Sequence, residues 1–294
     1  MFSPIFSVFA PNFAIPVADD TPSNSPDHQP HPIPATQTAI PDVPVTVLRP
    51  VFNPDSTTNT RLPNPGTARA NVAPTPESPS GTPGWASAHA HATVLQQHCA
   101  FFDSDGDGVV WPHDTFRGLR ALGLGLAACA GATLATHALF SYPTCAGALP
   151  DPLGRIWLAR VHRCRHGSDS GAFDGEGRFV PQKFEDFFAK YGQKEGIHSN
   201  RLWEAVRAQR ALLDPVGWFC TAMAWLLTYM LLRPDEGGFI KKEDIRRVFD
   251  GSIFDEIARR RAGEAGEEGE EGVEGQETDA GRWMGKKNGK QKED

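Results

Sequence analysis

Twelve residues, Asp103 to Asp114, restrict what this 294-residue chain can fold into more than any other stretch. They read DSDGDGVVWPHD. Carboxylates fall at positions 1, 3 and 5 (Asp103, Asp105, Asp107), a glycine at position 6 (Gly108), and a further carboxylate at position 12 (Asp114). This is the pattern of the EF-hand loop, in which hard oxygen ligands converge on Ca2+ around a sharp glycine turn. The backbone carbonyl at position 7, here Val109, completes the ligand set, and Val110 supplies the apolar side chain at position 8. The expected metal ligands are therefore Asp103, Asp105, Asp107, Val109 and Asp114. Such a loop needs a helix on either side. Leu95, His98 and Phe102 share one helical face before it, and Thr115, Phe116, Leu119 and Leu122 continue an apolar stripe after it. Position 12 is Asp where Glu is usual. The shorter side chain reaches less well in bidentate fashion, so weaker calcium binding, or relatively more tolerance of magnesium, is expected.

EF-hands pair, which makes two further turns of interest. Asp174 to Phe179 has the Gly-x-apolar centre of such a loop, but Ala172 and Lys183 occupy its positions 1 and 12. Asp235 to Ile240 leads to Asp244 at position 12, but Arg233 stands at position 1. Both read as metal-free structural hands or as simple glycine-rich turns.

Composition differs sharply along the chain. Of the 25 prolines, 18 precede Trp85, in a stretch without a sustained apolar period. Such a segment buries too little apolar surface to offset its ordering entropy, so residues 1–85 are expected to be disordered. The opening MFSPIFSVFAPNFAIPV is apolar but lacks a basic leader and is interrupted by Pro4, Pro11 and Pro16, which argues against a secretory signal. Residues 262–294, rich in Gly, Glu and then Lys, read as a solvated, disordered tail. The foldable part is then 86–261, large enough for one core. The five cysteines form no CxxC pair, which excludes a disulfide framework or a thiolate zinc module and suits a reducing, cytosol-facing setting. A net charge of −7 argues against nucleic acid as a partner.

Two long uncharged runs lie inside the foldable part, Ala121–Ser141 and Pro215–Leu232, each near the length a helix needs to cross a bilayer core. The first is rich in Ala, Gly and Thr and carries His137. The second opens on Asp214-Pro215, an N-cap followed by a first-turn proline, and is either a membrane helix or a buried core helix.

At this point several ordered blocks resemble one family. LQQHCAFFDSDGDGVVWPHDTFRGLRALG (Leu95 to Gly123) resembles the calcium-binding segment of caleosins, the lipid-droplet peroxygenases of plants and fungi. Gly81, Thr82, Pro83 and Gly84 look like the lead-in of that family. The uncharged run ending in Leu149, Pro150, Asp151 and Pro152 is similar to its central anchor with a proline knot. HRCRHGSDS (His162 to Ser170), FDGEGRF (Phe173 to Phe179) and EGGFIKKEDIRRVFDGS (Glu236 to Ser252) follow in family order, so the resemblance spans about Gly81 to Arg261 and fits a fungal-type member.

The resemblance implies a mainly α fold, with EF-hand-like helix-loop-helix units around a central hydrophobic hairpin and disordered ends. Within 86–261 it places the EF-hand at 90–123, the anchor and knot-like turn at 121–156 and a C-terminal helical part at 157–261. It implies a calcium-dependent enzyme containing haem b that moves oxygen from a fatty-acid hydroperoxide to unsaturated fatty acids, giving epoxides or hydroxy products. The family's haem-ligating histidines, which would be catalytic here, fall at His98 and His166. The site implied is a lipid-droplet monolayer or endoplasmic reticulum membrane, facing the cytosol, with a homo-oligomer left open. The alternatives are a non-enzymatic calcium-binding coat protein of droplets and a soluble calcium sensor. His137 and His162 could substitute as ligands but read better as ordinary core or surface residues. Ala146 and Arg155 stand where the family's knot carries extra prolines, which suggests a looser hairpin. Arg155, Arg160, Arg163 and Arg165 form a basic cluster that could meet lipid head groups, and Trp218, Trp225 and Tyr229 could sit at an interface or line a lipid pocket. His98 lies five residues before Asp103, so filling the loop should fix the helix that carries it.

Overall fold

The computed structural model describes residues 61–193 and 195–270, all within one unit. The expectations for residues 1–60 and 271–294 fall outside the described residues. Within them the chain is mostly helical, with two two-stranded sheets.

Helix α1 (Val94–Ala100) begins at a reciprocal cap. The Thr93 hydroxyl accepts from the Gln96 N–H at 3.3 Å, and the Gln96 side-chain oxygen accepts from the Thr93 N–H at 2.9 Å. The acidic loop follows, then β1 (Val109–Val110) and α2 (Pro112–Ala121), whose proline sits in the first turn, where no N–H is missed. After α3 (Leu126–Thr144) the chain returns through β2 (Ile156–Trp157) into a 3-10 stretch, Leu158–Cys164. Strands β1 and β2 pair antiparallel, Val109 opposite Trp157 and Val110 opposite Ile156.

The remainder repeats one plan twice. Helix α4 (Pro181–Tyr191) leads through a loop into β3 (Gly196–His198) and α5 (Ser199–Ala208). Helix α6 (Pro215–Leu232) leads through the Asp235 turn into β4 (Phe239–Lys241) and α7 (Lys242–Phe249). Strands β3 and β4 pair antiparallel, with Ile197 opposite Ile240, and so join the two units. Helix α8 (Phe254–Glu270) completes the described chain.

Two apolar clusters form the core. One gathers Phe179, Phe184, Phe187 and Phe188 with Ile197, Leu202, Trp225, Ile240 and Ile245. Phe187 and Trp225 stack at 5.2 Å. The other gathers Phe101, Leu119, Leu122, Leu231, Val248 and Phe254. Helices α6 and α7 each contribute to both clusters, and a cavity lies between them.

Three expectations are corrected. Residues 61–84, read as part of a disordered region, pack on the core: Leu62, Ala73 and Thr75 are buried, and Arg69 pairs with Phe179 through both backbone groups. The fully buried Arg246 guanidinium donates to the Ala73 carbonyl (3.1 Å) and the Thr82 hydroxyl (2.6 Å), so this proline-rich segment is held by polar anchors that composition does not show. Secondly, the expected hydrophobic hairpin has one helical arm. Helix α3 carries Pro143 in its last turn, and the chain returns as an irregular segment closed by the Asp151–Arg155 ion pair (3.0 Å). Among the described residues one helix, α6, is long and apolar enough to cross a membrane; 28 % of it is buried.

Thirdly, residues 262–270, read as the start of a solvated, disordered tail, continue helix α8. The basic cluster has partners within the protein. Arg155 pairs with Asp151 and lies over the rings of Trp111 and Trp157, 5.1 Å from each. Arg165 pairs with Asp169 at 3.2 Å. Arg160 and Arg163 donate to the carbonyls of Thr144 and Cys145, which end α3, where the helix dipole favours cations.

Candidate active site

The acidic loop is pre-shaped. One oxygen from each of Asp103, Asp105 and Asp107 lies within 4.8 Å of the others. Asp103 accepts from the N–H groups of Asp107 (3.2 Å) and Gly108 (2.9 Å), and Asp107 accepts from Val109 N–H (2.8 Å). Burial, with the neighbouring charges of Asp107 and Asp105, raises the Asp103 carboxyl above its ordinary value, against the pull of the Gly108 N–H. Converging carboxylates that repel one another in this way are relieved by a bound cation. Val109 sits at the start of β1. Asp114 is buried outside that group of three. Its carboxylate accepts from the Trp111 N–H at 3.2 Å and lies 3.3 Å from His113 Nε2.

His98 and His166, 68 positions apart in the sequence, line one apolar cavity of about 380 Å3 and an adjoining lobe of about 220 Å3. Phe102, Leu119, Phe140, Leu227, Leu231 and Val248 form much of the larger wall. The size is within the range of small-molecule and cofactor sites. His98 projects from α1, with Nδ1 2.7 Å from the Val248 carbonyl of α7. A carbonyl only accepts, so Nδ1 carries the proton and Nε2 keeps its lone pair. Burial lowers the His98 pKa from its ordinary value, outweighing the Val248 hydrogen bond and the Asp250 charge, so the imidazole is neutral at pH 7. Phe254 meets its ring edge-on at 5.2 Å.

His166 follows the 3-10 stretch. Its Nδ1 is buried without a hydrogen-bond partner and lies 3.8 Å from Asp214 Oδ2. Asp214 is the residue that sequence reasoning identified as a helix cap alone. It does cap α6, accepting from the Gly217 N–H at 2.9 Å. It also accepts from the Ser168 N–H (3.1 Å) and hydroxyl (2.7 Å), tying the loop after His166 to the start of α6. The Val248 carbonyl carries no side-chain signal and could not be found in the sequence.

The other candidates fall elsewhere. His137 is buried and satisfied, bridging the Thr115 hydroxyl (2.8 Å) and the Gly154 carbonyl (2.6 Å). Neither it nor His162 lines the cavity. Cys99 and Cys164 do, but burial pushes each thiol up to about 12, so both are neutral and inert. All five cysteines are free. Trp225 lines the smaller lobe, whereas the Trp218 indole donates to the Ala211 carbonyl at 2.7 Å.

Comparison with known proteins places the chain. A family model described as "Caleosin related protein" matches residues 90–258. A protein named "Peroxygenase" from Lilium longiflorum is 40 % identical over 205 residues, 69 % of this chain and 84 % of the relative. "Probable peroxygenase 4" of Arabidopsis thaliana is 33 % identical over 172 residues, 58 % of this chain and 88 % of the relative. A shorter match, 26 % over 95 residues (32 % of this chain, 45 % of the relative), is to an Arabidopsis thaliana "Probable inactive peroxygenase-like protein". No solved structure matches. With its acidic loop, paired histidines and apolar cavity all inside the matched span, the chain belongs to the caleosin family and is a peroxygenase.

Proposed function

We propose that the protein is a calcium-dependent haem peroxygenase that carries an oxygen atom from a fatty-acid hydroperoxide to an unsaturated fatty acid. The convergence of His98 and His166 on one apolar cavity supports this reading. The donor set fits haem: His98 keeps an unprotonated Nε2, His166 has a buried Nδ1 without a partner, and the walls between them are apolar. Haem bound there supplies the redox chemistry of oxygen transfer. His98 and His166 hold and orient it, and the Phe and Leu walls exclude water and receive the acyl chain.

Calcium acts at a distance. Held by Asp103, Asp105, Asp107, the Val109 carbonyl and Asp114 in an EF-hand-like unit, it fixes α1 against α2 and thereby His98. Contact with a lipid-droplet monolayer or the endoplasmic reticulum membrane is supported by exposed apolar residues at the start and along the face of α6, namely Leu212, Leu213, Val216, Phe219, Leu226 and Met230.

The test is transfer of labelled oxygen. Haem-replete protein is incubated with an 18O-labelled fatty-acid hydroperoxide and oleic acid. Label in the epoxide is the result expected. Unlabelled or absent product would overturn the enzymatic reading in favour of a calcium-binding droplet coat.

A further inference from the structure

The two histidines differ in what stands behind them. His98 Nδ1 faces a neutral backbone carbonyl at 2.7 Å. His166 Nδ1 faces a carboxylate, Asp214 Oδ2, at 3.8 Å, and has no other partner while buried. That carboxylate is built into its place. Three donors point at it, the Gly217 N–H and the N–H and hydroxyl of Ser168. A Cβ at Gly217 would overlap the carboxylate, so the glycine leaves it room. A second layer straps the same loop to α6: Ser168 Oγ accepts from Ala211 N–H (3.0 Å), and the Thr221 hydroxyl donates to the Ser168 carbonyl (2.8 Å).

We propose that Asp214 is a positioning residue for His166: its carboxylate is the acceptor for the Nδ1–H, which fixes the ring's tautomer and leaves Nε2 as the donor atom toward the cavity. This deepens the haem reading above and rests on it for the role of Nε2. The physical reason is general. An imidazole whose far nitrogen donates its N–H to a carboxylate is held in one orientation and is a stronger electron donor than one backed by a carbonyl. His166 is then the more strongly donating ligand of the two. Because the same carboxylate caps α6, the position of the apolar helix and the orientation of His166 are set together.

The experiment reads the tautomer directly, by 15N chemical shifts of the imidazoles in haem-free protein at pH 8. Wild type is expected to show His166 protonated at Nδ1, with His98, held by Val248, as an internal reference in the same state. Asp214→Asn keeps a helix cap but offers an amide donor, so His166 is expected to move to the Nε2-protonated tautomer while His98 stays unchanged. Wild-type His166 protonated at Nε2, or a tautomer indifferent to Asp214→Asn, would overturn the proposal; the first of these needs no variant to fold. In haem-loaded protein, Asp214→Asn is expected to weaken haem binding about 10- to 100-fold and to raise the iron potential. The expected tautomers with a haem spectrum indifferent to His166→Ala would overturn the ligand role of His166 alone.

Discussion

Gly251 gives the sharpest handle on how the fold holds His98. It follows the buried Asp250 at φ 76°, the left-handed region. A Cβ there would lie 2.7 Å from the Gln97 carbonyl oxygen and 3.0 Å from the His98 Cα. These are backbone atoms of α1, so they cannot swing aside. In Gly251→Ala the left-handed conformation costs about 1–2 kcal/mol and the overlap about 1–3 kcal/mol, roughly 2–5 kcal/mol together. At about 2–4 °C per kcal/mol for a domain of this size, Tm should fall by roughly 4–20 °C. The displacement also acts on the 2.7 Å bond between His98 Nδ1 and Val248, which lies three residues before Gly251. Urea unfolding and the Soret band of the haem-loaded protein read the two effects separately. An unchanged urea midpoint with an unchanged Soret maximum would refute the reasoning, because α1 would then not be clamped by this turn.

Three further outcomes are expected. Asp114→Glu restores the longer carboxylate at position 12, so calcium binding measured by titration calorimetry should tighten, while Asp103→Asn should weaken it strongly. The lowered His98 pKa means the unfolded chain takes up the proton first as pH falls below about 6.5. Stability contributed by neutral His98 is therefore full above that pH and is lost as pH falls toward the folded value, by at most about 1.4 kcal/mol per pH unit. Urea unfolding between pH 5 and 7.5 should be correspondingly less steep with pH in His98→Gln than in wild type. Arg246→Met should cost about 3–5 kcal/mol by chemical denaturation, because it leaves the buried Asp250 (2.7 Å from Arg246 Nη1) unpaired and frees residues 73–82 from the core.

The acidic loop and the two flanking helices were legible because the ligand spacing, the glycine and the apolar stripe all report local geometry. His98 and His166 could be singled out by family resemblance, but their meeting could not be read from a separation of 68 residues. The partners that orient them were hidden for different reasons. Val248 acts through its carbonyl, to which its side chain gives no clue, and Asp214 showed its local role as a cap and concealed its contact with the His166 loop. The loop before β3 was missed as the partner of the Asp235 turn because it carries no acidic pattern; β3 joins β4 through backbone bonds and through the His198 ring set edge-on against Phe239 at 4.9 Å. Residues 61–84 were misread because proline-rich composition predicts a solvated chain, whereas six prolines in that stretch (63, 65, 74, 76, 79 and 83) also reduce the entropy lost on docking. The intramolecular partners of Arg160 and Arg163 were hidden because sequence does not show the carbonyls that end α3.

The central claim is that both histidines hold haem in the cavity they share. The absorption spectrum of purified protein reconstituted with haem b, recorded for wild type beside His98→Ala and His166→Ala, tests it most directly. A Soret band that shifts or weakens in each variant, with calcium still bound and the fold intact by circular dichroism, is the result predicted. A spectrum identical in all three would contradict the account.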